Sequence, residues 1–443
     1  MTSVDAGVDR ETAAVCPRTA PPRPTRITLF GIFGADNLGN ECTLQAMLHH
    51  ARRRVPNARM HCICADPSAT SVRHDVDASP ISRRPSRRTR LNRAENHPAI
   101  RLLRRAVVRG PVEIRHCVTA FRTLKTTDML IMTGTGMIGE FGIRPFDLHY
   151  EILKWSVIAK LRGCRVLFVS VGGGALPSRL SRWLVKAALS LADYRSYRDA
   201  ESKAYVDNLG VDTRRDRVYP DLAFSLPPRE TLAAPAPEAE RRMVAVGLMD
   251  YYGAACRQDT GEQTYRTYVD AVTRFVAWLL GQRYRVRLVI GDVRYDTRIR
   301  QDVVSSLWAS GMSWDPAQLV AEPIRSVDEL LAQLARSELV VATRFHNLVL
   351  ALLLKKPVVS ISYHPKNDSL MRAVGLAAYC QPIDRLDVDR LIAQFASLER
   401  NKAAITSALG PRLDEYRRRL DDQYTAIFGW PPRTGAADPS TEA

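Results

Sequence analysis

The sequence predicts an α/β protein made of two doubly wound parallel-sheet domains that face each other across a cleft. Three observations carry this. Short β-branched runs alternate with helical stretches from Arg26 onward, a Pro- and Ala-rich break interrupts the alternation, and the alternation then restarts. The 443 residues also exceed the roughly 250–300 that one hydrophobic core usually serves.

The first strand reads "RITLFGIFG" at 26–34. From Glu41 to about Arg54, Leu44, Met47, Leu48 and Ala51 recur at i, i+3, i+4 and i+7, the spacing of one buried helical stripe. Strands are expected at about 59–64, 128–132, 165–171, 194–197 and 217–219, with helices at about 98–124, 148–161, 179–192 and 200–208. "LPPRETLAAPAPEAERR" at 226–242 carries four prolines, and its 231–242 part reads as a linker. Beyond it, strands fall near 243–248, 285–290, 318–320, 338–342 and 357–362, and helices near 262–280, 296–309, 327–336 and 345–355. The expected organisation is a loose leader at 1–25, a Rossmann-like domain at 26–230, a second at 243–410, a closing helix at 411–429 and a loose tail at 430–443.

Composition excludes several classes. With 46% apolar and 25% charged residues the chain is of the soluble globular type. Its longest purely apolar run, Leu348 to Leu354, is seven residues, against the roughly 20 that cross a bilayer. The first 25 residues lack the apolar stretch of a secretory signal, so the expected location is cytoplasmic. The eight cysteines show no CxxC pair; Cys62 and Cys64 of "HCIC" share one face of a strand and read as buried, and no metal site is expected.

The net charge of +17 is uneven. Between Arg83 and Arg109 stand ten arginines and one glutamate, Glu95. Such a run serves as a nucleic-acid arm, an anchor to anionic lipid or a solvated insert. The absence of any aromatic residue in it to stack on bases argues against nucleic acid, and a peripheral place at the inner membrane face fits a lipid-linked substrate.

The densest chemistry lies in "LVVATRFHNLVLALLLKKPVVSISYHPKNDSL", 339–370. Two strands flank a helix in one right-handed βαβ unit, so Arg344 and His346 after the first strand and Tyr363, His364 and Lys366 after the second emerge at the same sheet edge. Arg344 and His346 also sit at a helix start, whose free N–H groups favour an anion. An Arg fork, a Lys charge and an imidazole together suit a phosphate or carboxylate. In the first half, three turns end strands on the corresponding edge: Asn37, Gly39 and Asn40; Gly134 and Gly136; and Gly172 and Gly173. Gly134, Gly136 and Gly139 match GxGxxG, but no helix opens at once, which argues against NAD. In "SYRDAESKAYVDNLG" Asp199 reads as a helix cap, and the Arg198 before it is a candidate to face the cleft.

These residues resemble the polysaccharide pyruvyl transferase family. The likeness is carried by Arg344-Phe345-His346 at a helix start, a strand led by Pro357 and ending Tyr363-His364-Pro365-Lys366, Asn37-Leu38-Gly39, the two Gly-rich turns, Arg198-Asp199 with Ser202, and Asp221 to Phe224, all in order over about 26–375. The resemblance implies a fold similar to two-domain B-type glycosyltransferases. It further implies transfer of a pyruvyl group from phosphoenolpyruvate to two sugar hydroxyls as a ketal, with release of phosphate. On that basis Arg344 and Lys366 are expected to hold the donor, His346 to act as general acid and Glu140 as base, with no cofactor beyond the donor itself. The acceptor is expected to be a polysaccharide sugar or its lipid-linked precursor. The alternatives are a nucleotide-sugar glycosyltransferase and a non-catalytic glycan- or nucleic-acid-binding protein.

Overall fold

Where β-branched runs are bounded by turn residues the chain forms parallel strands, and where apolar residues recur at helical spacing it crosses back over a sheet. The computed structural model describes residues 24–82, 98–139, 145–227, 242–253 and 258–429. The expected leader to residue 23, the arginine run at 83–97, Glu140, the linker to 241 and the tail from 430 lie outside the described residues.

The first half contains β1 Arg26–Phe30, α1 Leu38–Arg54, β2 Arg59–Cys64, α2 Pro67–His74, β3 Asp77–Pro80, α3 Pro98–Thr123, β4 Met129–Thr133, α4 Tyr150–Leu161, β5 Arg165–Val171, α5 Arg179–Ser190, β6 Tyr194–Tyr197, α6 Ala200–Asn208 and β7 Arg217–Val218. Its seven strands are ordered β3-β2-β1-β4-β5-β6-β7. The second half contains β8 Met243–Leu248, α7 Gln258–Gly281, β9 Arg285–Ile290, α8 Thr297–Ala309, β10 Leu319–Val320, α9 Val327–Ala335, β11 Leu339–Ala342, α10 Phe345–Leu353, β12 Val358–Ser362, α11 Pro365–Ala373, β13 Cys380–Pro382, α12 Val388–Arg400 and α13 Lys402–Phe428. Its six strands are ordered β10-β9-β8-β11-β12-β13. In each sheet the chain winds outward from a central strand, first to one side and then to the other. That reversal leaves a crevice beyond the strands' carboxyl ends, between β1 and β4 and between β8 and β11.

One apolar core lies on the inner face of the first sheet and runs on through the second half, including Leu44 and Met47 of α1 and Val340 and Val341 of β11. A second core, with Phe168, Trp155 and Leu130, fills the space between the first sheet and α3, α4 and α5. Cys62 and Cys64 are fully buried in the first core.

The last helix begins at Lys402 and runs through Pro411, giving up one backbone hydrogen bond there. It returns to the first sheet: Gln423 accepts from the Ser170 hydroxyl at 3.0 Å and donates to Ser196 Oγ at 2.7 Å. The next residue, Tyr424, bonds Ser225 Oγ at 2.9 Å and stacks on His50. Among the described residues no helix is long and apolar enough to cross a membrane.

Candidate functional site

The loop after β1 and the loop after β9 close on each other. Leu38 N–H donates to Gly291 O at 3.0 Å, Val293 N–H to Asp36 O at 3.0 Å, and the Asn37 amide to Asp292 Oδ2 at 3.1 Å. Beside this seam is a cavity of about 290 Å³, into which Arg344, His346, Tyr363 and Lys366 project from the second half. Asn37, Gly39, Asn40, Gly136 and Arg198 line it from the first.

Arg344 stands at the N-cap of α10 without a capping hydrogen bond of its own. Its guanidinium instead grips the fully buried Asp296, Nε to Oδ2 at 2.9 Å and Nη2 to Oδ1 at 2.5 Å. The same carboxylate accepts from the backbone N–H of Asp250 at 3.0 Å, Gly291 at 3.2 Å and Asp292 at 2.9 Å. Burial disfavours the Arg344 cation, but the Asp296 carboxylate overcomes this and holds its pKa above the ordinary value. Arg344 is therefore a charge held in a fixed place by its ion pair with Asp296.

Lys366 and Arg198 are arranged differently. The Lys366 ammonium lies 5.1 Å from the Phe345 ring centre and 4.8 Å from that of Tyr363, and the Arg198 guanidinium lies 5.1 Å from Phe345. Among the described residues Arg198 has long ion pairs, 3.6 Å to Asp199 and 3.5 Å to Asp221. Burial, with Arg198 and Arg344 nearby, pushes the Lys366 ammonium well below its usual range. A pocket that strains its own cations in this way favours an anion that relieves them.

His346 is pushed down to about 4, first by burial and then by Arg198, Lys366 and Arg344, against the opposing pull of Asp221. Its Nε2 lies 3.8 Å from Asp221 Oδ1, and both Nε2 and Asp221 Oδ2 are buried without a hydrogen bond. His364 turns away to cap α11, its Nδ1 accepting from Lys366 N–H at 3.2 Å.

The glycines make room mainly for side chains of the site. A Cβ at Gly39 would stand 2.0 Å from His346 Nδ1, and one at Gly172 would stand 2.4 Å from the Arg198 guanidinium. Gly134 lies against the Ser170 carbonyl, and Gly173 donates to Ser202 Oγ at 2.8 Å, so Gly134, Gly172 and Gly173 sit behind the cavity wall. Asn37 caps α1 by accepting from Asn40 N–H at 3.2 Å, while the Asn40 amide holds Ile32 O at 3.0 Å. Glu140, the expected base, lies outside the described residues. Asp221 is the described carboxylate next to His346, and the "DLAF" motif is the only sign of it in the sequence. Nothing in the sequence singles out Asp296.

A second cavity, about 340 Å³, adjoins the first across Arg198, Phe345 and Lys366. Its walls include Tyr219, Phe224 and Tyr416 as well as Asp221, Arg372 and Arg419.

The model of the family described as polysaccharide pyruvyl transferase matches residues 37–365. The chain belongs to that family. No functionally curated protein is significantly similar to this pyruvyl transferase family member in sequence. Its fold is similar to that of UDP-GlcNAc 2-epimerase from Methanocaldococcus jannaschii, with TM-score 0.54 and 11% identity over 84% of this chain and 92% of that one. It is similar also to UDP-GlcNAc 2-epimerase from Neisseria meningitidis bound to UDP-GlcNAc, with TM-score 0.52 and 9% identity over 91% and 100%. The glycotransferase of kitacinnamycin matches at TM-score 0.51 and 15% identity over 92% and 98%. The architecture of this family member is thus that of two-sheet B-type glycosyltransferases and UDP-GlcNAc 2-epimerases.

Proposed function

We propose that this family member transfers a pyruvyl group from phosphoenolpyruvate to two hydroxyls of a sugar, with the donor in the smaller cavity and the sugar in the larger. The observation that carries this is the convergence of Arg344, Lys366 and Arg198 with a buried imidazole on one pocket between the halves. Phosphoenolpyruvate carries a phosphate and a carboxylate, and the three cations match them; the aromatic walls of the adjoining cavity suit the apolar face of a sugar ring.

In the proposed reaction His346 gives a proton to the methylene carbon, and the central carbon, now cationic, forms a bond to one sugar oxygen. The carboxylates of Asp221 and Glu140 are the bases offered for the proton of that hydroxyl, which is then returned to His346 in place of the one it gave. The carbon–oxygen bond to phosphate then breaks, the second hydroxyl attacks the same carbon, and its proton leaves with the phosphate. One of the two hydroxyl protons thus ends on the new methyl group and the other on phosphate. Fixed cations stabilise the departing phosphate. A neutral His346 becomes an acid only when the donor's negative charge offsets its three cationic neighbours, so donor binding is expected to bring a proton with it.

The test is to incubate the protein with phosphoenolpyruvate and a panel of acceptor sugars, reading phosphate release and a product heavier by pyruvate minus water. His346→Ala is expected to abolish turnover while keeping donor binding, and Arg344→Ala to weaken donor binding. Unchanged turnover in His346→Ala removes the assigned role. A contact between the arginine run at 83–109 and an anionic membrane belongs to the same reading, since a lipid-linked acceptor would be met there.

A further inference from the structure

Outside the cleft, nine of the twelve large apolar side chains that stand exposed among the described residues fall between Val112 and Trp183, so they form one region and not a scatter. On α3, Ile114, Val118 and Phe121 recur at i, i+4 and i+7 on the outward stripe, while His116, Ala120 and Leu124 turn inward and are buried. Ile114 is 66% exposed. On α4, Val157 and Leu161 follow at i and i+4, with Leu161 72% exposed, and α5 adds Trp183 at 60%.

The three helices lie side by side. The Arg162 guanidinium stacks on Phe121 at 4.4 Å, Lys154 Nζ meets Glu113 at 2.8 Å, and His149 Nδ1 meets Ser181 Oγ at 3.2 Å. They cover the face of the first sheet served by the second core, not the face whose core continues into the second half.

The charges on this layer have one sign to spare. Three of its acids are engaged, Glu113 with Lys154 and Tyr150, Glu151 with Lys154, and Asp193 with Lys160, while Asp147 stands exposed before α4. Arg115, Arg122, Lys125 and Arg182 stand exposed around the apolar stripe. The sequence sets Arg101, Arg104, Arg105 and Arg109 on the first half of α3.

We infer that the outer face of α3, α4 and α5 docks on an anionic lipid bilayer, with Ile114, Val118, Phe121, Leu161 and Trp183 entering the headgroup boundary and the arginines pairing with lipid phosphate. Exposed apolar side chains flanked by the exposed Arg115, Arg122 and Arg182 match an interface that is greasy below and negative above. Helices that follow parallel strands start at the carboxyl edge of the sheet, where the cleft opens, so a protein seated on this face holds its cleft beside the membrane surface. The inference deepens the lipid-linked part of the proposed function but does not need the chemistry to be right, because binding is read without substrate.

The experiment is co-sedimentation of the full chain with vesicles of phosphatidylcholine alone and with about 30 mol% phosphatidylglycerol, at low and high salt. Expected is binding only to the anionic vesicles, lost at high salt. Ile114→Ser/Phe121→Ser/Leu161→Ser is expected to weaken it at least tenfold, roughly, and Arg115→Glu/Arg122→Glu by about fivefold or more per residue. Both variants are expected to keep the parent's melting temperature and its turnover of a water-soluble acceptor. Absence of binding to anionic vesicles, binding unchanged in the folded triple variant, or a concentration-dependent dimer that the triple variant abolishes would each overturn the proposal, the last by assigning the face to a second copy.

Discussion

Replacing Asp296 by Ala removes the buried carboxylate that holds Arg344 and the loop after β9 together. Five donors lose their acceptor: two from Arg344 and the backbone N–H groups of Asp250, Gly291 and Asp292. Breaking a buried ion pair from one side costs about 3–5 kcal/mol, because the remaining charge stays desolvated. The Arg344 side chain keeps 18% exposure and rehydrates in part through the cavity, which places the expected cost toward the lower end. For a chain of 443 residues, at about 1 °C per kcal/mol, melting should fall by about 3–4 °C. The assay is thermal and urea unfolding of the parent, of Asp296→Ala and of Asp296→Ala/Arg344→Met. Removing both partners leaves no orphan charge, so the double variant should recover part of the loss. A single variant that melts within about 2 °C of the parent would refute the reasoning, as would a double variant no more stable than the single.

Gly39→Ala should cut turnover by about 100-fold with the circular dichroism spectrum unchanged, because its methyl group displaces the His346 ring and a misplaced catalytic group costs that order of rate; undiminished turnover contradicts the contact. Acid should destabilise the fold earlier than carboxylates alone would. His50, His346 and His364 are each held down to about 4, first by burial, whereas in the unfolded chain they take up protons near 6.5. The unfolded state therefore binds more protons between about 6.5 and 4, so stability is full above that window and falls as pH drops through it. Urea unfolding at a series of pH values reads the slope, and His364→Gln should flatten it. Donor binding should take up a proton near pH 7, read by calorimetry in two buffers of different ionisation heat; equal heats would exclude His346 as the group that gains charge.

Much of the fold was legible because its signal is local. β-Branched runs such as "LVVA" and "VVSIS" form central strands in place. The missed strands β3, "DASP", and β13, "CQP", lie at sheet edges and contain no β-branched residue, since their pairing comes from the neighbour and not from propensity. The helix α11 was missed because only Asn367 and Met371 of it are buried, too few to mark a stripe, and the start of α13 was misplaced because Pro411 reads as a helix opening. For the site, Arg344, His346, Tyr363 and Lys366 were legible together because one βαβ unit fixes their shared edge. Asp296 and Asp221 come from other crossovers, Asp221 from the opposite half, and no spacing in the chain announces that they meet Arg344 and His346. By sequence the glycines suggest openings for a ligand, whereas Gly39 and Gly172 leave space for the His346 and Arg198 side chains.

The central claim is tested most directly by titrating the purified protein with phosphoenolpyruvate, UDP-GlcNAc and NAD in parallel and reading melting temperature. The account predicts saturable stabilisation by phosphoenolpyruvate alone, about 2.7 kcal/mol at 100 times its dissociation constant, and its loss in Arg344→Ala. Saturation by the nucleotide sugar with no response to phosphoenolpyruvate would contradict it.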